Sequence, residues 1–121
     1  DMAWELRQDR PIYLQLIETI EQRIITGQYP AGSRLPGVRE LAAEAGVNPN
    51  TMQKALSELE RRELCFAQRT NGRTITEDEE MIKQLQHQIA LEQIEEFLRK
   101  MKDIGLTREE VIALMNTKGE A

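Results

Sequence analysis

The sequence predicts a mainly α chain with a small β hairpin, divided into two regions of different character. Three observations carry this. Apolar residues recur at three- and four-residue spacing in every long segment. The one stretch that breaks this spacing, "LCFAQRTNGRTIT", places an Asn-Gly pair between two short β-prone runs. Charge is also unevenly shared: residues 1–76 hold ten Lys/Arg and ten Asp/Glu, while 77–121 hold six and eleven, which is the whole net charge of −5.

The elements follow in order. After an extended "WEL" start, Pro11 opens a helix whose apolar face is Tyr13, Leu16, Ile17, Ile20, Ile24 and Ile25, and Gly27 closes it. "YPAGSRLP" reads as a loop of turn formers. A short helix over about 38–45 turns Val38, Leu41 and Ala42 inward; Gly37 is its weak N-cap and Gly46 its left-handed terminator. Asn48 then caps a third helix, with Pro49 at the first position, where a missing N–H is harmless. Met52, Ala55, Leu56 and Leu59 form the buried stripe of that helix, which leaves Asn50, Thr51, Gln53, Lys54 and Ser57 on or beside its outer face.

The hairpin turns at Asn71-Gly72. Thr76 with Glu79 reads as a capping box that launches a long helix to about residue 102. The stripe of this helix moves. Ile82, Leu85 and Ile89 share one face, whereas Ala90, Ile94, Phe97, Leu98 and Met101 lie well over about 100° round from it. The first half is therefore expected to pack on its own N-terminal domain and the second on another chain. Gly105 ends the helix, and Thr107 with Glu110 caps a last one carrying Val111, Ile112, Leu114 and Met115, with Leu106 stapled onto Val111.

Several function classes find little support. There is no Gly-rich phosphate loop, no nucleophile with an identifiable base and no His/Cys/acid cluster, so no catalytic residue, metal ligand or cofactor is expected. His87 has no second His or Cys at metal spacing and reads as a surface residue. Cys65, the single cysteine, cannot form an internal disulfide and reads as a half-buried strand residue rather than a redox sensor. No apolar run approaches the ~20 residues of a membrane span, and no targeting segment is visible; the expectation is a cytoplasmic protein with no membrane partner. The acidic balance argues only mildly against nucleic acid. With a Debye length of about 8 Å, a distant acidic tail hardly weakens a local basic face.

Helix, short helix, tight turn, helix, hairpin is the order of a winged helix-turn-helix, here residues 1–76, with a helical dimerisation tail over 77–121. The turn "AGVN" sets the second helix of the pair across the first and points its polar start away from the core, as a major groove requires. Asn and Gln suit base edges because an amide both donates and accepts. Lys54 offers a phosphate or a guanine contact, and Arg34, Arg39, Arg69 and Arg73 bracket the same groove with positive charge. Asn48 at the cap completes the set. Arg61 and Arg62 read instead as a solvated helix face, and Trp4 and Tyr13 as core or edge packing.

The stretch "PIYLQLIETIEQRIITGQYPAGSRLPGVRELAAEAGVNPNTMQKALSELERREL" closely resembles the DNA-binding domain of the GntR family of bacterial transcription regulators. That pattern runs through a Gly-rich loop, "LPSxRELA", "GVxxxTxxxAL" and a glycine-containing wing, and the match covers about residues 8–76. "NPNT" followed by a short two-helix tail is similar to the YtrA-like branch. The resemblance implies DNA contact by Arg39, by Asn50, Thr51 and Gln53, and by Asn71 and Gly72 in the wing. Three positions depart from the pattern: Gly37 stands where the family usually has serine, Pro49 and Gln53 stand where some branches place base-reading arginines, and Glu63 replaces a common glycine.

The expected function is sequence-specific transcription regulation by a repressor that binds a palindromic operator in double-stranded DNA as a homodimer. Leu91, Ile94, Phe97, Leu98, Met101, Val111, Ile112 and Met115 form the expected dimer interface. The alternative is a winged-helix protein-interaction module without specific DNA readout. A small-molecule effector would have only the dimer interface to occupy, because a tail of about 45 residues is too short for a roomy pocket of its own.

Overall fold

The computed structural model describes residues 4–69 and 72–119. The chain forms two compact units, Asp1–Lys83 and Gln84–Ala121. Their division lies inside the long helix, a few residues beyond the boundary expected at residues 76 and 77.

The first unit contains α1 (Ile12–Ile25), β1 (Arg34–Leu35), α2 (Val38–Ala45), α3 (Pro49–Arg61), β2 (Cys65–Ala67) and β3 (Arg73–Ile75). Helix α3 packs against both α1 and α2. Leu16 and Ile20 of α1, Leu41 of α2 and Met52, Ala55 and Leu59 of α3 are fully removed from water, so the stripes read from the sequence, apart from the half-covered Tyr13, Ile25 and Val38, form the core. Each large side chain among them contributes about 1.5–3 kcal/mol by burial. The turn between α2 and α3 is closed by Gly46 at φ 76°, whose N–H, with that of Val47, donates to the Ala42 carbonyl.

Two residues of the supposed loop are a strand. Arg34 pairs with Thr74 and Leu35 with Arg73, which gives an antiparallel sheet in the order β1-β3-β2, with Cys65, Phe66 and Ala67 opposite Ile75, Thr74 and Arg73. Leu35, Cys65 and Ile75 are buried, while Arg34 and Phe66 are exposed on either side of Thr74. Cys65 is buried outright rather than by half, and burial pushes its thiol up to about 11.

The extended start is held by side chains. Gln15 is buried; its amide donates to the carbonyls of Arg7 and Arg10 and its Oε1 accepts from the Arg7 N–H at 2.7 Å. Trp4 donates from Nε1 to Glu44 at 2.8 Å, and Arg23 lies 4.6 Å from the Trp4 ring centroid while donating to both Glu44 and the Tyr29 hydroxyl. Trp4 is thus the buried packing residue expected, and its indole N–H is the main reason that the Glu44 carboxyl is held below its usual range.

The long helix, α4 (Glu79–Asp103), starts at a different cap from the one expected. The Asp78 carboxylate accepts from the Met81 N–H at 3.0 Å, while Thr76 is buried and accepts from the Asp78 N–H instead. Two capping residues two positions apart compete, and the one nearer the helix prevails. No residue of α4 is buried, and Ile82, Leu85 and Ile89 are half covered. In the second unit, α4 ends at Asp103, two residues before the left-handed Gly105 (φ 93°), and α5 (Arg108–Gly119) opens with the expected reciprocal box: Thr107 N–H to Glu110 at 2.8 Å and Glu110 N–H to Thr107 Oγ1 at 3.1 Å.

Among the expected interface residues, Leu91, Ile94, Phe97, Ile112 and Met115 are exposed, and Leu98 and Met101 half exposed. Val111 differs. It is only 3% exposed within its own chain, so little of its side chain is left for a partner to cover.

Candidate nucleic-acid interface

The outer face of α3 is set by its cap and its stripe together. Asn48 Oδ1 accepts from the Asn50 N–H at 2.7 Å, and the Asn48 carbonyl accepts from Thr51 and Met52, so the helix starts rigidly after Gly46. With Met52, Ala55, Leu56 and Leu59 buried, helical geometry leaves Asn50, Gln53, Lys54 and Ser57 in water and Thr51 half covered. Gln53 donates to Ser57 Oγ at 3.3 Å along its own helix, and the Lys54 ammonium lies 4.7 Å from the Tyr13 ring centroid. Tyr13 is accordingly not core but a half-covered flank of this face. The Oδ1 of Asn48 serves the cap, while the residue itself is exposed and its side-chain amide keeps two N–H donors.

Helix α2 leads into this face from the other side. Arg39, in its first turn, is exposed. Its N-cap, Gly37, offers no side-chain hydrogen bond, as the missing serine implied.

At the wing, the Gln68 N–H donates to the Gly72 carbonyl at 2.9 Å and closes the hairpin. Gly72 has φ 69°, and a β-carbon there would meet Arg34 Nε at 3.3 Å, so the Arg34 guanidinium lies against the wing backbone. Arg34 and Gly72 are therefore brought together across the sheet. Asn71 lies outside the described residues.

Arg73 is not placed as expected. It shares the inner side of the sheet with its strand partner Leu35, its side chain is only 15% exposed, and Nε pairs with Glu60 of α3 at 3.0 Å. It fastens the hairpin to α3. Arg62 is exposed, as expected of a helix face, but it is also engaged: it bridges Glu58 and the buried Glu21 of α1, each at 2.8 Å. Arg61 also pairs with Glu58, and hydrogen bonds from Arg61 and then Arg62 pull the Glu58 carboxyl down to about 2.

These pairs resolve the local charge balance. Arg7, Arg10, Arg23, Arg61, Arg62 and Arg73 all hold carboxylates. Arg39, Lys54 and Arg69, all in or beside the sequence-predicted site, have no carboxylate partner among the described residues. Sequence reasoning missed Tyr13, Glu60 and the wing-face Phe66, which is 45% exposed. Nothing in local spacing announces a pair such as Glu60 with Arg73. Among the described residues, no group of three or more His, Cys, Asp or Glu is placed to hold a metal ion, and no helix is long and apolar enough to cross a membrane.

The pattern of the gntR family of bacterial regulatory proteins matches residues 12–75. The chain is 36% identical over 113 residues to the uncharacterized HTH-type transcriptional regulator YhcF of Bacillus subtilis (strain 168), covering 93% of each protein. It is 40% identical over 72 residues to the HTH-type transcriptional repressor YtrA of the same strain, covering 60% of this chain and 55% of that one. Among solved structures, a GntR family transcriptional regulator from Listeria monocytogenes superposes with a TM-score of 0.86 at 39% identity, over 93% of this chain and 98% of that chain.

Proposed function

The chain belongs to the gntR family of bacterial regulatory proteins and is a DNA-binding transcription regulator, and from this we propose that it is a repressor that binds a palindromic operator as a homodimer. One observation carries the reading. The start of α3 presents Asn50, Thr51 and Gln53, which nothing in the core uses, on a helix anchored from behind and flanked by Arg39 and Lys54. In this reading α3 enters the major groove, its amides read base edges, and Arg39, with Arg34 at the wing, neutralises phosphates.

Two further features support the finer parts. Leu91, Ile94, Phe97, Ile112, Leu114 and Met115 are large apolar side chains exposed in the Gln84–Ala121 unit, and covering them favours a second copy. Repression is favoured by the relative YtrA, itself a transcriptional repressor.

Selection of bound fragments from random duplex DNA tests the proposal. The expected product is an inverted repeat whose half-sites lie one helical turn apart, about 34 Å, or a multiple of it. A single unrepeated site would overturn the dimeric reading. Salt-insensitive retention of a protein partner with no duplex bound would favour an interaction module instead.

A further inference from the structure

We propose that Tyr13 decides what Lys54 reads: by holding the ammonium toward α1, it makes Lys54 a phosphate contact rather than a base contact. This rests on the DNA-binding reading above. Lys54 lies on the same outer face as Asn50 and Gln53, and a lysine there has two ways to go. Extended forward, it reaches the acceptors of guanine; turned aside, it reaches the backbone of the duplex.

The observed position is the second. Lys54 Nζ lies 4.7 Å from the centroid of the Tyr13 ring, within the ~6 Å over which the ring's negative face attracts a cation. Tyr13 is next to the first residue of α1, the helix that packs along α3. The ammonium is thereby drawn off the centre line of the recognition helix to its flank. It keeps its function there. An ammonium has three N–H donors, and the ring takes one side of it, so donors remain for a phosphate oxygen. Lys54 is exposed and has no carboxylate partner among the described residues, so its charge is not already neutralised. A long flexible side chain loses much rotamer freedom on binding, and the ring supplies part of that order beforehand.

Gln53, by contrast, is held along α3 by its hydrogen bond to Ser57 and does not share this restraint. The geometry therefore divides adjacent residues of one helix between two tasks. Asn50 and Gln53 keep the groove side, and Lys54 keeps the strand.

The test is a double-mutant cycle of Tyr13→Leu and Lys54→Met, read by fluorescence anisotropy on a selected operator and a scrambled duplex over a range of salt. Lys54→Met should weaken both duplexes equally and lower the log–log salt slope by about 0.9. Tyr13→Leu should weaken both by about two- to fivefold, Tyr13→Phe should match the parent, and Tyr13→Leu should have no effect once Lys54 is Met. A selective loss on the operator in Lys54→Met would overturn the proposal. So would a Tyr13→Leu effect that is absent or that survives in the Lys54→Met background. NMR without DNA reports the pair itself. The Lys54 side-chain methylenes should be ring-current shifted in the parent and in Tyr13→Phe but not in Tyr13→Leu, and unshifted parent signals would refute the contact. Parent protein that binds no duplex while keeping those shifts would refute the DNA reading instead.

Discussion

Replacing Glu63 by glycine should stabilise the first unit by about 0.8 kcal/mol, and the reason lies in how α3 ends. Glu63 N–H donates to the Glu60 carbonyl at 2.9 Å, and Leu64 N–H reaches back to Leu59 at 3.0 Å. This is the paired closure of a helix by a left-handed residue. Helix α4 closes in the same way, through Gly105 to Lys102 and Leu106 to Met101, with glycine at the left-handed position. At the end of α3 that position is Glu63, with φ 66°. An L side chain there costs about 1–2 kcal/mol. Glycine removes the strain but enlarges the freedom of the unfolded chain, which takes back about 0.4–1 kcal/mol. The exposed Glu63 side chain makes no hydrogen bond or ion pair among the described residues, so nothing else is lost. Urea titration at fixed protein concentration should show a higher midpoint at unchanged slope, and melting should rise by about 3–6 °C. Glu63→Ala keeps the strain and should gain nothing. An alanine variant as stable as the glycine variant, or a glycine variant no better than the parent, would refute the strain argument.

Four other outcomes are expected. Arg39→Ala should weaken binding to every duplex and flatten the salt dependence, whereas Asn50→Ala should change base preference; a uniform loss for Asn50→Ala across scrambled operators would contradict that division. Arg62→Ala should destabilise by about 1–3 kcal/mol, less than a fully buried pair because Arg62 is partly in water, since it strips Glu21 of its α3 partner; denaturant unfolding measures this. The Glu58 carboxyl is depressed in the folded state, so its stabilising contribution is present above about 4.5, its ordinary value, and fades as pH falls toward about 2. Stability of Glu58→Gln should accordingly fall less steeply than the parent's over that window. Cys65, buried and with its thiol raised to about 11, should resist a thiol reagent at neutral pH until denaturant is added, and rapid native labelling would show that the sheet opens locally.

The three helices of the first unit were legible because independent local signals agree on each. At α3, an asparagine cap, a proline at the first position and a four-residue apolar stripe all name the same start and the same buried side. β1 was not legible, since two residues carry no period, and Leu35 becomes a core residue only when β3 arrives beside it. The start of α4 was misplaced because Thr76 and Asp78 are both competent caps and the sequence does not rank them.

The site shows the same division at the level of charge. Which side chains face outward follows from the stripe they do not belong to, and this is local. Which arginines are available to a ligand depends on carboxylates that folding brings from elsewhere: Glu21 reaches Arg62 across 41 residues, and Glu60 reaches Arg73 across 13. A net charge of zero over residues 1–76 therefore says little about the field at the recognition helix. Acidic residues neutralise the arginines that hold the domain together, and Arg39 and Lys54 keep their charge where α3 is exposed. A domain that is neutral in sum can in this way present a cationic edge to a polyanion. The acidic surplus of 77–121 then bears on the domain's affinity for DNA only over the distance that salt leaves unscreened.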